Sequence, residues 1–318
     1  MEKPTLTAML PSLNMIGAGR AGTTLAIAFA AAGLPVQLFC RDSSRRAQLH
    51  ELFAKLRLDI RLPVDLRRDA NCVLILAVPD RQLRQLAAEL AVAPVEALWL
   101  HLSGALPAQT LRSDAHPQSP LHVGSLHPLA ALTDPLLAAD ADLAQLLAPV
   151  GGALFALDGD ADAIVIATQL ARRLGALPLV VGAEQRALYH TAAALVANDL
   201  VALIAIGLEL TAQAQLPQPI LRAGLLHLAQ TSLDALKRVP SSQPLISGLT
   251  GAVARGDAQT LQRHLATLTD VGHRQAHLQL SVALIRELQR AGQLSEHLIA
   301  ALREVVTHHD RGAADGDG

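Results

Sequence analysis

The stretch SLNMIGAGRAG, at 12–22, constrains the fold of this chain more than any other. It opens with a short apolar run of strand character, and helical periodicity then covers about 20–32. Gly17, Gly19 and Gly22 stand at the junction in G-x-G-x-x-G spacing. By itself that spacing is common. Between a strand and a helix, inside a βαβ unit, it is a cradle for a pyrophosphate. Gly17 permits the tight turn, Gly19 lets the backbone approach the phosphates, and Gly22 lets helix and strand pack closely. The helix N-terminus adds free N–H groups and the positive end of its dipole. A dinucleotide is therefore expected on Gly17, Ala18, Gly19, Arg20, Ala21 and Gly22.

The pattern continues as strands alternating with helices. Strand candidates follow at 35–40, 72–78, 97–102, 122–127, 152–158 and 177–182, with helices near 44–56, 81–91 and 160–174 between them. CVLILAV at 72–78 is apolar throughout, as a strand buried on both faces of a parallel sheet must be. After Gly182 only helical periodicity remains, at about 184–213, 218–236, 257–270, 273–290 and 295–308. The expected fold is α/β: an N-terminal doubly wound sheet over 1–182, an all-α domain over 183–310, and a disordered tail at 311–318.

The second strand ends FCRDSSRR. A site for NAD has an acid there to bind the ribose 2′-OH. This chain instead has Cys40 and Arg41, followed by Ser43. Arg41 can pair with a 2′-phosphate and Ser43 can donate to it, which favours NADP(H). Asp42 leaves a ribose contact one position later open. AVPD, at 77–80, should bring Ala77, Val78 and Pro79 against the cofactor, with Asp80 capping the next helix.

Ligands of open α/β sheets lie beyond the carboxyl ends of the strands. Ser103 in HLSGALP and His127 in GSLHPL end strands there and are candidates to touch substrate. The long apolar segment ALYHTAAALVANDLVALIAIGL adds more. Arg186 and His190 lie one turn apart on one face. Asn198 is rotated by roughly 80° and about 12 Å further along the axis, so it can line a groove with His190 but not touch it. Histidine is suited to donate a proton near neutral pH, and arginine to clamp a carboxylate. His190 is thus expected as proton donor, with Arg186 and Asn198 positioning the substrate and Ser103 and His127 assisting. Asp257, in LTGAVARGD, precedes a helix and is read as its N-cap.

Several classes of function are disfavoured. The net charge is −2, which gives no bulk electrostatic case for nucleic acid or an anionic membrane. The 13 histidines are scattered, without metal-ligand spacing. The run 191–208 has the length of a membrane span. Asn198 and Asp199 at its middle argue against lipid, so a buried helix of a soluble protein is expected. No secretory leader is evident, and Cys40 and Cys72 read as two reduced thiols, consistent with a cytoplasmic protein, although one disulfide is conceivable.

The order of IGAGRAG, AVPD, LSGALP, GSLHPL, LYHTAAALVANDLVAL and LTGAVARGD resembles the bacterial family in which a Rossmann-like domain precedes a DUF2520 domain. The resemblance spans about 13–270. It implies an NADP(H)-dependent oxidoreductase related to ketopantoate reductases, pyrroline-carboxylate reductases and the 6-phosphogluconate dehydrogenase group. It also implies a homodimer formed by the all-α domain, and a small-molecule substrate met by the first long helix at Arg186, His190 and Asn198. The expected reaction moves hydride to or from a C=O or C=N carbon of a carboxylate-bearing metabolite. A non-catalytic dinucleotide sensor and an F420-dependent oxidoreductase are the alternatives. Arg186 stands where the family is expected to carry lysine, and an arginine does not give up a proton. Ala252 stands where proline is expected.

Overall fold

The computed structural model describes residues 12–63, 72–91, 98–112, 122–138 and 140–314. Strands β1 (Ser12–Ile16), β2 (Val36–Phe39), β3 (Ile60–Arg61), β4 (Cys72–Leu76), β5 (Leu98–His101), β6 (His122–Pro128), β7 (Leu154–Gly159) and β8 (Leu177–Val180) form one sheet. Its order is β3-β2-β1-β4-β5-β6-β7-β8, and every neighbouring pair is parallel except β6 with β7. Helices α1 (Arg20–Ala31), α2 (Ser43–Leu56), α3 (Asp80–Ala91), α4 (Leu143–Leu147) and α5 (Ala161–Arg173) connect the strands. The doubly wound sheet is thus the one expected. The two-residue β3 is an addition, too short to leave a periodic signal.

The apolar strands fold this way because alternate residues serve opposite faces of the sheet. Val73 and Ile75 of β4, with Leu98 and Leu100 of β5, join the core that also takes Leu25, Ile27 and Phe29 of α1. Leu74, Leu76 and Trp99 join the other core, with Leu83, Ala87 and Ala91 of α3. The last three recur every four residues, so one helical face meets the sheet.

Helices α6 (Ala183–Gln213), α7 (Gln218–Lys237), α8 (Ala258–Thr267), α9 (Val271–Arg290) and α10 (Glu296–Ala314) follow, with no strand among the described residues beyond β8. The packing divides the chain into compact units at Met1–Ala197 and Asn198–Gly318, so the first turns of α6 belong with the sheet. In the second unit Leu261 and Leu265 of α8, Leu278 and Ile285 of α9, and Ile299 and Leu302 of α10 form a core of their own. Asp257 caps α8 as expected, accepting from the Thr260 N–H at 3.0 Å. The part of the expected tail after Ala314 lies outside the described residues.

One expectation is overturned. The long apolar helix is not buried: Arg186 is the one buried residue on α6, and Leu195, Val196 and Val201 are exposed. All-round apolarity shows that a helix is compatible with cover, not that its own chain supplies it. Cys40 and Cys72 are both buried and are not joined in a disulfide. Cys72 is level with Ser12 at the start of β1, and Cys40 follows Phe39, which is level with Ile16 at its end, on the other side of β1.

Leu100 is completely buried in a central strand, whereas Leu177 on the edge strand β8 is 63% exposed. Leu100→Ala should lower stability by about 2–5 kcal/mol, and Leu177→Ala by no more than about 0.5 kcal/mol. Urea unfolding followed by fluorescence of Trp99, which lies in the same sheet, checks both.

Candidate active site

Strand register builds the site. Ile16 pairs with Leu76, Leu76 with His101, and His101 with Ser125, so β1, β4 and β5 run out level, while β6 continues beyond them to Pro128. The residues just beyond this level come into one row: Gly17, Ala77 to Pro79, Ser103, and His127 in the part of β6 that runs on. Two clefts open along it. One, of about 900 Å³, is lined by Gly17, Ala18, Gly19, Arg41, Asp42 and Asp134 among others. The other, of about 430 Å³, is lined by Asp80, Leu102, Ser103, His127 and Leu132 among others. They share Gly19, Arg20, Ala77, Val78 and Pro79 as a common wall.

The larger cleft fits the phosphate half of a dinucleotide. Gly17 has φ +109°, and a Cβ there would overlap the Ala77 carbonyl. A Cβ on Gly22 would fall on the Gly17 carbonyl, so both glycines are required for the loop to close on itself. A Cβ on Gly19 would meet nothing within 4 Å, which leaves that side open to a ligand. Helix α1 starts with no side-chain cap and no acid in its first turn. Its orphan N–H groups and positive dipole end are not already answered by a side chain of the cap.

At the far end of this cleft Arg41 is exposed. Asp42 is engaged as the N-cap of α2, accepting from the Arg45 N–H at 2.7 Å, which weighs against a role as ribose ligand. Ser43 is exposed in the first turn of α2 and is not among the lining residues. Arg45, not anticipated from sequence, ties the loop down. It donates through Nε to the Ala18 carbonyl and pairs with Asp134 at 2.9 Å. That guanidinium holds the Asp134 carboxyl below its ordinary range.

The smaller cleft is backed by a polar cluster. The Ser103 hydroxyl donates to Asp80 Oδ2 at 2.8 Å and accepts from the Leu106 N–H at 3.0 Å and the Ala105 N–H at 3.2 Å. Its one hydrogen is therefore used by the protein, so Ser103 has none to offer a substrate. Asp80, read as a plain helix cap, is its partner. The Ser103 carbonyl accepts from Arg186 Nη2 at 2.8 Å. Arg186 is fully buried, and its Nε and Nη1 have no partner among the described residues. Burial pushes its pKa down, against the pull of Asp158, Tyr189 and Asp80. An enclosed guanidinium cannot clamp a substrate, so Arg186 acts on its neighbours as a fixed charge.

Two imidazoles feel that charge. His101 Nδ1 accepts from the Ser103 N–H at 3.1 Å while Nε2 lies 3.2 Å from the Pro107 carbonyl, which assigns a neutral ring with its hydrogen on Nε2. Burial and then Arg186 lower its pKa to about 4. His127 is lowered to about 4 by burial, then by His190, Arg186 and His101. Its Nδ1 lies 3.0 Å from the Tyr189 hydroxyl. The His190 ring stands edge-on to His127 at 5.8 Å, and His190 Nδ1 is buried without a partner among the described residues.

Four expected site residues, Ser103, His127, Arg186 and His190, thus meet in the first unit. Asn198 is exposed at the start of the second unit and is not part of this cluster. Of them, Ser103 and His127 line the cleft. Tyr189, Asp80, Arg45 and Asp134 were missed. The sequence signal for Tyr189 was its place beside His190 as the chain's one tyrosine.

Residues 3–123 match the Rossmann-like domain model, and residues 153–284 match DUF2520, a domain of unknown function. The chain is similar to the solved structure of a provisionally assigned NADP oxidoreductase from Bacteroides fragilis, at 20% identity and TM-score 0.66, over 86% of this chain and 97% of that one. It is also similar to protein TM1727 from Thermotoga maritima, at 22% identity and TM-score 0.64, over 87% and 98%. Pyrroline carboxylate reductase from Plasmodium falciparum, solved with NADP bound, aligns at 13% identity and TM-score 0.53 over 86% and 99%. At these identities the likeness is one of fold. No curated protein matches the chain.

The two lowered histidines set a pH dependence. Unfolded, His101 and His127 take up protons near their ordinary value of 6.5; folded, they refuse them until about pH 4. Across that window the unfolded chain holds more protons, so stability should fall as pH falls from about 6.5 toward 4. Fully buried His101 alone accounts for about 3 kcal/mol at about 1.4 kcal/mol per pH unit. Urea titrations across the window should show this decline, and His101→Gln should flatten it; an unchanged decline in that variant contradicts the assignment.

Proposed function

As a chain that joins a Rossmann-like domain to a DUF2520 domain, this protein is, we propose, an NADP(H)-dependent oxidoreductase acting on a C=O or C=N carbon of a small, carboxylate-bearing metabolite. The observation that carries the reading is the pair of clefts sharing one wall at the glycine loop. An exposed arginine lies at the outer end of one, and a neutral histidine lines the other. Gly17 to Gly22 would hold the pyrophosphate against the start of α1, and Arg41 the 2′-phosphate, with Ser43 beside it on α2. Ala77, Val78 and Pro79 would form the floor between the two halves.

The nicotinamide, when bound, supplies or accepts the hydride. The protein's part is to steady the charge that develops on the substrate's oxygen or nitrogen. His127 is better placed for that than His190, because His127 lines the cleft while His190 packs behind it. Burial, with His190 and Arg186, keeps His127 neutral, and Arg186 fixes the Ser103 turn through its carbonyl. Arg20 lends the shared wall an exposed positive charge.

The homodimer and the cytoplasmic setting belong to the same proposal. Exposed Val201 and Leu203 on α6, with Ile220, Leu226 and Leu228 on α7, support cover by a second copy. Asn198 and Asp199 disfavour cover by lipid.

A screen of 2-keto acids and cyclic imines for substrate-dependent oxidation of 4-deuterated NADPH, with deuterium recovered in the product, tests the reaction. His127→Ala should then lower kcat by at least about a hundredfold. Arg41→Ala should raise KM for NADPH by about tenfold and leave KM for NADH unchanged, a loss of about 1.4 kcal/mol. Full turnover in the first variant, or equal losses for both cofactors in the second, would remove those residues from their roles.

A further inference from the structure

The imidazole of His127 is held on three sides by groups the reaction does not itself require. Tyr189 and His190 are consecutive on α6, and both reach it. The Tyr189 ring stands perpendicular to His127 at 5.7 Å, with its hydroxyl 3.0 Å from Nδ1. The His190 ring is at 5.8 Å, near perpendicular at 75°. The third side is backbone. A Cβ on Gly104 would lie 2.7 Å from both Cε1 and Nε2 of His127 and 2.5 Å from Nδ1 of His190. Only glycine lets the two rings close over this turn, so the placement of His127 is built in at positions far apart in the chain.

The hydrogen bond between Tyr189 and His127 has a preferred direction. A neutral imidazole carries one N–H and one bare nitrogen, and the bond to one nitrogen decides which is which. A phenol O–H donates well but accepts poorly, because its lone pair is shared with the ring. The Tyr189 hydroxyl has no other partner among the described residues. Buried Arg186 and the neighbouring His190 and His101 all oppose a positive charge on His127, so the ring is the neutral form that this bond sorts.

We propose that Tyr189 is a positioning residue that donates its hydroxyl hydrogen to Nδ1 of His127, thereby confining the imidazole hydrogen to Nε2, the nitrogen on the Gly104 side. Apart from the bond to Tyr189, the ring then presents a donor and no acceptor. Such a group stabilises an oxygen or nitrogen that gains negative charge as hydride arrives, which selects a neutral carbonyl or imine over a protonated iminium. This consequence rests on the reductase reading above; the tautomer itself does not.

Nitrogen-15 spectra of the full-length protein with labelled histidine, at a pH well above the titration of His127, test the proposal. His127→Gln identifies the resonances by their loss. The result expected is a proton-bearing Nε2 and a bare Nδ1 in the wild type, and a mixture of both tautomers in Tyr189→Phe. Turnover of Tyr189→Phe should fall about tenfold in kcat, with KM for NADPH unchanged and the thermal midpoint nearly so. A wild-type ring protonated on Nδ1, or a tautomer ratio that Tyr189→Phe leaves unmoved, would overturn the proposal. Absence of turnover with every substrate would count against the reductase reading and leave the spectra to decide the tautomer.

Discussion

The site depends on one constraint: the parallel strands β1, β4 and β5 stop at the same level, while β6 runs three residues further to Pro128. Because Ile16, Leu76, His101 and Ser125 are register partners, a shift of one residue in any strand would move its side chains at this level to the other face. The two cores prevent such a shift. Leu74, Leu76 and Trp99 belong to one, Val73, Ile75 and Leu100 to the other, so slipping would exchange two well-packed sets. The glycine loop, the Ala77–Pro79 turn, the Ser103 turn and His127 are brought together by this packing, not by any direct bond between them.

The second organising element is the enclosed guanidinium of Arg186. A buried charge without a full set of acceptors costs several kcal/mol unless neighbouring carboxylates offset it. Asp158 and Asp80 supply part of that offset, and the Ser103 carbonyl takes one hydrogen bond. In return the charge adds to burial in holding His101 and His127 neutral, and the hydrogen bond ties the start of α6 to the turn after β5. Lysine, with a more strongly hydrated point charge, could not reproduce a planar fork enclosed on all sides.

What the sequence made legible follows physical range. The glycine spacing, the alternation of strands and helices and the buried faces of β4 are local, and each was readable. So was the cluster of Ser103, His127, Arg186 and His190, because strand ends and one helical face could be placed in advance. The pairings within it were not. Ser103 with Asp80, His127 with Tyr189 and Arg45 with Asp134 join residues 23, 62 and 89 positions apart, where no periodicity reports. The sequence also suggested Arg186 as a clamp and His190 as the donor. Burial, which is a tertiary property, encloses Arg186, and the smaller cleft is lined by His127 and not by His190. The exposed apolar face of α6 shows the same limit.

The most direct measurement is a calorimetric titration of the purified chain with NADPH and, separately, with NADH. A 2′-phosphate contact at Arg41 requires that NADPH bind at least about tenfold more tightly, a difference of about 1.4 kcal/mol. Tighter binding of NADH would return the ribose contact to Asp42. Binding of neither would contradict the central claim that the row of strand ends is a dinucleotide site.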